Sequence, residues 1–237
     1  MEKQLMFILV FLTAFFGMSQ NGDAFFTEAD AFFKANVVNG KVAYAAIKDN
    51  SGQLNRLLRL AETFTVSDKD ESICKAFWVN AYNISVIKGI VDNYPIKSPL
   101  DKAGFFDRDT YKLAGEALTL NAVEHENLIA VYKDARFHFV LVCGALGCPP
   151  LISEAYMPAT VDAQMDLQTK KALNGSFLKV NSKRKRVEVS QIMAWYKKDF
   201  TANGATEIDF INRYRTEGIP NNYKLTYFTY NWNLNEQ

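Results

Sequence analysis

"ESICKAFWVNAYNISVIKGIVDNY", Glu71 to Tyr94, is the stretch whose reading decides the fold. Ile73, Phe77, Ala81, Ile84, Ile87 and Val91 recur at helical spacing as one stripe, and Trp78, Tyr82 and Val86 cover the opposite side. A helix that is apolar nearly all round is surrounded by protein, so the pattern predicts a central helix against which the rest packs. Pro95 stops it, since proline has no backbone N–H to donate and its ring clashes with the preceding turn. Asn80 and Asn83 interrupt the apolar surface. A buried carboxamide without partners is costly, so these two are expected to anchor a neighbouring loop or to line a polar cavity as binding residues.

Working outward, residues 25–35 and 52–64 have helical spacing, with a turn and a short extended piece at 39–44 between them. After Pro95 comes a loop with aromatic tips at Phe105 and Phe106, then a hairpin around Gly115. Asn121 with Glu124 three residues on has the form of a capping box, and on the helix it would open His125 shares a face with Leu128, Ile129 and Tyr132. Residues 137–143 read as an internal strand, with His138, Val140 and Val142 on one face and Phe137, Phe139, Leu141 and Cys143 on the other. Further on, helices are expected over 158–174, 190–200 and 206–214, a hairpin over 177–189, and a late aromatic strand over 224–234. The succession specifies an α+β single domain, helices packed around a small, mainly antiparallel sheet.

Of the 237 residues 49% are hydrophobic and 22% charged, enough apolar material for a full core. Lys plus Arg is 27 against 26 Asp plus Glu, a net charge of +1, and this balance argues against a nucleic-acid partner. The opening "MEKQLMFILVFLTAFFGMSQ" has a lysine, an apolar run from Leu5 to Phe16 and small residues after it, the layout of a secretory signal. Residues 1–19 are therefore expected to be removed on export to the periplasm or the medium, leaving 20–237 as one domain with no stable membrane span.

Five segments carry a family resemblance: "AFWVNAYNISVIKGI" (76–90), "LTLNAVEHENL" (118–128), "RFHFVLVCGALGCPPL" (136–151), "IMAWYKKDF" (192–200) and "YFTYNWNLN" (227–235). In this order they resemble the blocks of the domain of unknown function 547. The resemblance implies a set of characteristic residues, matched here by Phe77, Trp78, Asn80, Tyr82, Asn83, Glu124, His125, His138, Cys143, Cys148 and Pro149. Asn231 stands where the resemblance implies an aspartate. The family carries no assigned activity, so the chemistry has to be read from the residues.

Cys148 follows an apolar run in a Gly-Cys-Pro turn, and His125 and His138 are the chain's two imidazoles. A nucleophilic cysteine needs a partner that favours its thiolate and a third group that orients that partner. One expectation is thus a hydrolase or acyl transferase acting on an amide or ester in the cell envelope. Cys148 is its nucleophile, His138 or His125 its general base and Glu124 the orienting group, with Asn80, Tyr82, Asn83 and Cys143 around the pocket. The alternative is a non-catalytic module binding an envelope peptide, glycan or small molecule through Phe105, Phe106 and the aromatics of 227–232, braced by a Cys143–Cys148 disulfide. A Cys2His2 metal set is a third possibility, but the spacing lacks the paired grammar of structural zinc sites. Phosphate- and dinucleotide-binding glycine motifs are missing, and no cofactor is expected.

Overall fold

In the computed structural model, which describes residues 22–67 and 69–237, helix α4 (Glu71–Asn93) runs through the middle of the molecule. Asp70 caps it, its side chain accepting from the Ile73 N–H, and seventeen residues from Cys74 to Val91 are buried along it. Helices α1 (22–36), α2 (Tyr44–Asp49) and α3 (Gly52–Glu62) pack their apolar faces on one side of α4. The expected secretory signal, residues 1–19, lies outside the described residues. None of the described helices is long and apolar enough to cross a membrane.

The fold is α+β. Strands β1 (Val37–Val38) and β2 (Lys41–Val42) form a minimal hairpin, and β3 (Thr110–Leu113) with β4 (Glu116–Thr119) forms a second one. Its two turn residues, Ala114 and Gly115, both have positive φ, as a two-residue hairpin turn demands. The third sheet has the order β5 (Leu178–Asn181), β6 (Arg186–Ser190), β7 (Lys224–Phe228). The first pair is antiparallel and the second parallel, because three short helices, α8 (Ile192–Trp195), α9 (Lys197–Phe200) and α10 (Glu207–Tyr214), carry the chain back across. With α7 (Val161–Asn174), this sheet surrounds a second apolar cluster that includes Phe139, Leu173, Val187, Met193 and Phe200.

Three expectations are corrected. Residues 137–143 are no strand: Asp134 caps a 3-10 helix (Ala135–Phe139), accepting from the Arg136 N–H, and an extended piece follows it. Where a neighbouring strand would pair with that piece, Asn83 takes its place. Its Oδ1 accepts from the Val142 N–H at 2.8 Å and its Nδ2 donates to the Val140 carbonyl at 3.0 Å. The segment opened by Asn121 starts two residues earlier, at the cap Thr119, which accepts from the Ala122 N–H. It continues as α5 (Leu120–Ala122), a π-helical stretch (Val123–Ile129) and α6 (Ala130–Tyr132). The single helix expected over 190–200 is broken at Tyr196 into α8 and α9.

Candidate functional site

Where the two apolar clusters meet, a cavity of about 300 Å³ opens. Tyr82 of α4, Glu124 of the π-helical stretch, His138 of the 3-10 helix, Cys143, Cys148 and Tyr230 line it, and Phe106, Trp195, Tyr196 and Trp232 form an aromatic wall. His138 and Cys143, expected on opposite faces of a strand, thus share one cavity; without a strand the period of two does not apply.

The thiols sit in a loop fixed from both sides. Gly144 has φ +83°, and a Cβ there would meet Ile90 Cδ1 at 2.4 Å; a Cβ on Gly147 would meet the Tyr230 ring at 2.7 Å. Residues 231–235 run alongside, Leu146 and Gly147 donating to the carbonyls of Asn233 and Asn231 at 2.8 Å. This pairing delivers Tyr230, whose hydroxyl lies 2.9 Å from both Cys143 Sγ and Cys148 Sγ. The Cys143 N–H donates to Cys148 Sγ at 3.0 Å. Cys143 and Cys148 are free thiols, neighbours without a disulfide between them.

The two sulfurs are electrostatically unequal. Burial opposes ionisation of Cys148, but hydrogen bonds from the Cys143 thiol, the Tyr230 hydroxyl and the N–H groups of Cys143 and Ala145 outweigh it and hold this thiol below its ordinary value. Burial, and then the neighbouring Cys148, push Cys143 well above. Of the two, Cys148 is thus the thiol that ionises first. Burial and the two adjacent sulfurs likewise raise Tyr230, which stays a hydrogen-bond donor.

On the opposite wall His138 is buried between two carboxylates. Its Nε2 is 2.8 Å from Asp199 Oδ2, its Nδ1 is 3.7 Å from Glu124 Oε1, and its ring stacks on Tyr196 with centroids 4.0 Å apart. The hydrogen bond from His138 holds the Asp199 carboxyl below its usual range against the opposing effect of partial burial. Glu124 accepts from the Tyr82 hydroxyl at 3.5 Å and from Tyr196.

The structure therefore brings together Cys148, Cys143, His138, Glu124 and Tyr82 of the expected residues. It leaves out three. His125 is exposed, because the wider π turn directs the adjacent Glu124 inward and rotates His125 away from the cavity. Asn80 and Asn83 do not line the cavity, since backbone groups of Tyr156 and of Val140 and Val142 use both ends of each carboxamide. Of the aromatic tips, Phe106 lines the cavity while Phe105 is core, against Gly89. Tyr196, Asp199 and Tyr230 fall within the fourth and fifth resemblance blocks, but sequence reading gave Tyr196 and Asp199 no role and met Tyr230 only among the aromatics of the binding-module alternative. No cluster of three or more His, Cys, Asp or Glu arranged for a metal occurs among the described residues.

Fold and site together define an α+β protein whose cavity joins an inequivalent thiol pair to a carboxylate-flanked histidine. Residues 66–172 match the family described as a protein of unknown function, DUF547, and the chain resembles that family over this span. The span contains Tyr82, Glu124, His138 and both cavity cysteines, whereas Tyr196, Asp199 and Tyr230 lie beyond it. Comparison with curated proteins and with solved structures gives no match.

Proposed function

We propose that this protein is a Cys148-dependent hydrolase or acyl transferase acting on an amide or ester. The observation that carries the reading is the cradle around Cys148 Sγ, where N–H, S–H and O–H donors converge on one sulfur. Such convergence favours a thiolate, which is the nucleophilic form.

In this reading the Cys148 thiolate attacks the substrate carbonyl, forming a C–S bond. Collapse of the tetrahedral adduct breaks the C–N or C–O bond, and the leaving group departs with a proton. Water, or an acceptor amine or alcohol, then cleaves the thioester, releases the acyl product and regenerates the thiolate. No imidazole among the described residues hydrogen-bonds Cys148, so the thiolate is prepared by its own cradle. His138, oriented by Asp199 and Glu124, gives a proton to the leaving group across the cavity and takes one back from the attacking water, amine or alcohol when the thioester is cleaved. Export and an envelope substrate belong to the same proposal and rest on the signal-like first nineteen residues. N-terminal sequencing of the protein recovered outside the cytoplasm checks that part.

The aromatic wall favours a second reading, a non-catalytic module that holds an apolar side chain or a sugar face in the cavity. Alkylation with iodoacetamide across pH, followed by peptide mapping, separates the two. The catalytic reading expects Cys148 to react with a midpoint below the ordinary thiol value of about 8.5. A midpoint at or above that value removes it and leaves the module.

A further inference from the structure

Cys148 also borders a second cavity, of about 820 Å³, on the other side of its loop. This groove runs between residues 146–154, the α7 face carrying Gln168 and Lys171, and Phe228, Thr229 and Asn231 at and after the end of β7. Gln168 is only 7% exposed and lines it, yet its carboxamide makes no hydrogen bond among the described residues. Its polar atoms are not closed off inside the protein, so both ends of the carboxamide face the groove, ready to pair with whatever lies in it.

Elsewhere in this fold the same group has a repeated task. Asn83 accepts from the Val142 N–H and donates to the Val140 carbonyl; Asn80 does both with Tyr156 and its own helix. Gln164, one turn before Gln168 on α7, accepts from the Met157 N–H and donates to the Ala155 carbonyl, each at 2.9 Å. Asn212 grips both backbone groups of Ile219. Each of these carboxamides clamps a backbone stretch through one N–H and one C=O. Gln168 presents a carboxamide of the same chemistry to the groove.

We propose that this groove is the subsite for an extended amide chain held by Gln168, so that Cys148 acts on a peptide or peptide-like amide. The apolar acyl side of the substrate occupies the aromatic cavity and the amide chain lies across Gln168. Lys171 and Glu154, one cation and one anion on the rim, suit a chain of low net charge. The inference rests on the proposed function only for the role of Cys148; the groove is testable without it.

Binding comes first. Acetyl-Phe-Ala-Ala-amide is titrated calorimetrically into the Cys148→Ala protein and into the same protein with Gln168→Leu. Binding weakened roughly 10- to 30-fold by the second substitution is expected, the combined worth of two neutral hydrogen bonds. Equal binding, or none to either protein, overturns the inference. Gln168→Leu breaks no side-chain hydrogen bond among the described residues and is expected to leave the melting temperature unchanged; a lowered value gives Gln168 a structural role and counts against the assignment. Labelling of Cys148 then joins groove to thiol. The chloroacetamide of benzylamine is compared with the same electrophile extended by two alanine residues, the thiolate displacing chloride to form the C–S bond. The extended probe is expected to react about ten-fold faster, an advantage lost in Gln168→Leu while the iodoacetamide rate holds. An advantage that survives Gln168→Leu overturns the assignment. Peptide binding without any labelling of Cys148 would instead sink the catalytic reading and keep the groove.

Discussion

Replacing Tyr230 by phenylalanine removes one oxygen and keeps the ring that packs on Gly147, Trp195 and Trp232. In the wild type that hydroxyl is 2.9 Å from Cys148 Sγ. Its donation to a thiolate is one charge-assisted hydrogen bond among several, and sulfur is the weaker kind of acceptor, so its loss is taken as about 1.4 kcal/mol. That energy is about one pH unit in the thiol midpoint. The direction is upward, because the contact favours the deprotonated form. At a pH below the midpoint the thiolate fraction falls about ten-fold. A thiolate of higher pKa is also intrinsically more nucleophilic, with a Brønsted slope of about 0.4–0.5, which restores about three-fold. The observed rate at neutral pH therefore drops only about three-fold, while the alkaline plateau rises by a similar factor. The assay is the iodoacetamide rate at Cys148 from pH 5 to 10 with a peptide-mapping readout. A midpoint that stays put or moves down in Tyr230→Phe, with the fold intact by circular dichroism, refutes the reasoning that this hydroxyl stabilises the thiolate.

Other consequences are as direct. Asn83→Leu strands the Val142 N–H and the Val140 carbonyl inside the protein and is expected to destabilise by about 2–4 kcal/mol in urea unfolding, with Cys148 reactivity altered even under native conditions. Gly144→Ala puts a side chain on a positive-φ residue within 2.4 Å of Ile90, and a loss of about 2 kcal/mol or more is expected from the same measurement. Asp199→Asn removes the carboxylate from its 2.8 Å contact with His138 at a partly exposed position and is expected to cost no more than about 1 kcal/mol at pH 7. Because the Asp199 carboxyl is held below its ordinary range, its contribution is present above about pH 4 and fades as the pH falls further, so wild type and variant should converge in stability toward acid. A gap between them that widens on acidification would contradict the pairing.

Legibility in the sequence tracked the range of the interactions. The central helix was legible because its apolar positions lie three and four residues apart, and the hairpin at Gly115 because turn chemistry is local. The apolar stretch 137–143 misled, since short apolar runs look alike whether a neighbouring strand or a carboxamide satisfies the backbone. Asn80 and Asn83 carried the signal for that substitution, as buried amides in need of partners. His125 was misjudged because α-helical spacing was applied across a π turn, which adds a residue and rotates every later side chain about the helix axis. Cys143, Cys148, Glu124 and His138 were legible as reactive types. The roles of Tyr230 and Asp199 were not, for although both lie in the resemblance blocks, nothing local says which thiol or imidazole a tyrosine among aromatics or an aspartate on a short helix will meet until the fold gathers them.

The Cys148 loop owes its hydrogen-bonded partner and its tuned sulfur to a segment 82 residues away. Contacts that far apart in sequence form late, after local helices and hairpins. During folding Cys148 thus passes through states in which it is an ordinary thiol, and acquires its character only when residues 230–235 dock. The reactivity of a single sulfur thereby becomes a clock for this long-range closure, readable by pulsed alkylation during refolding.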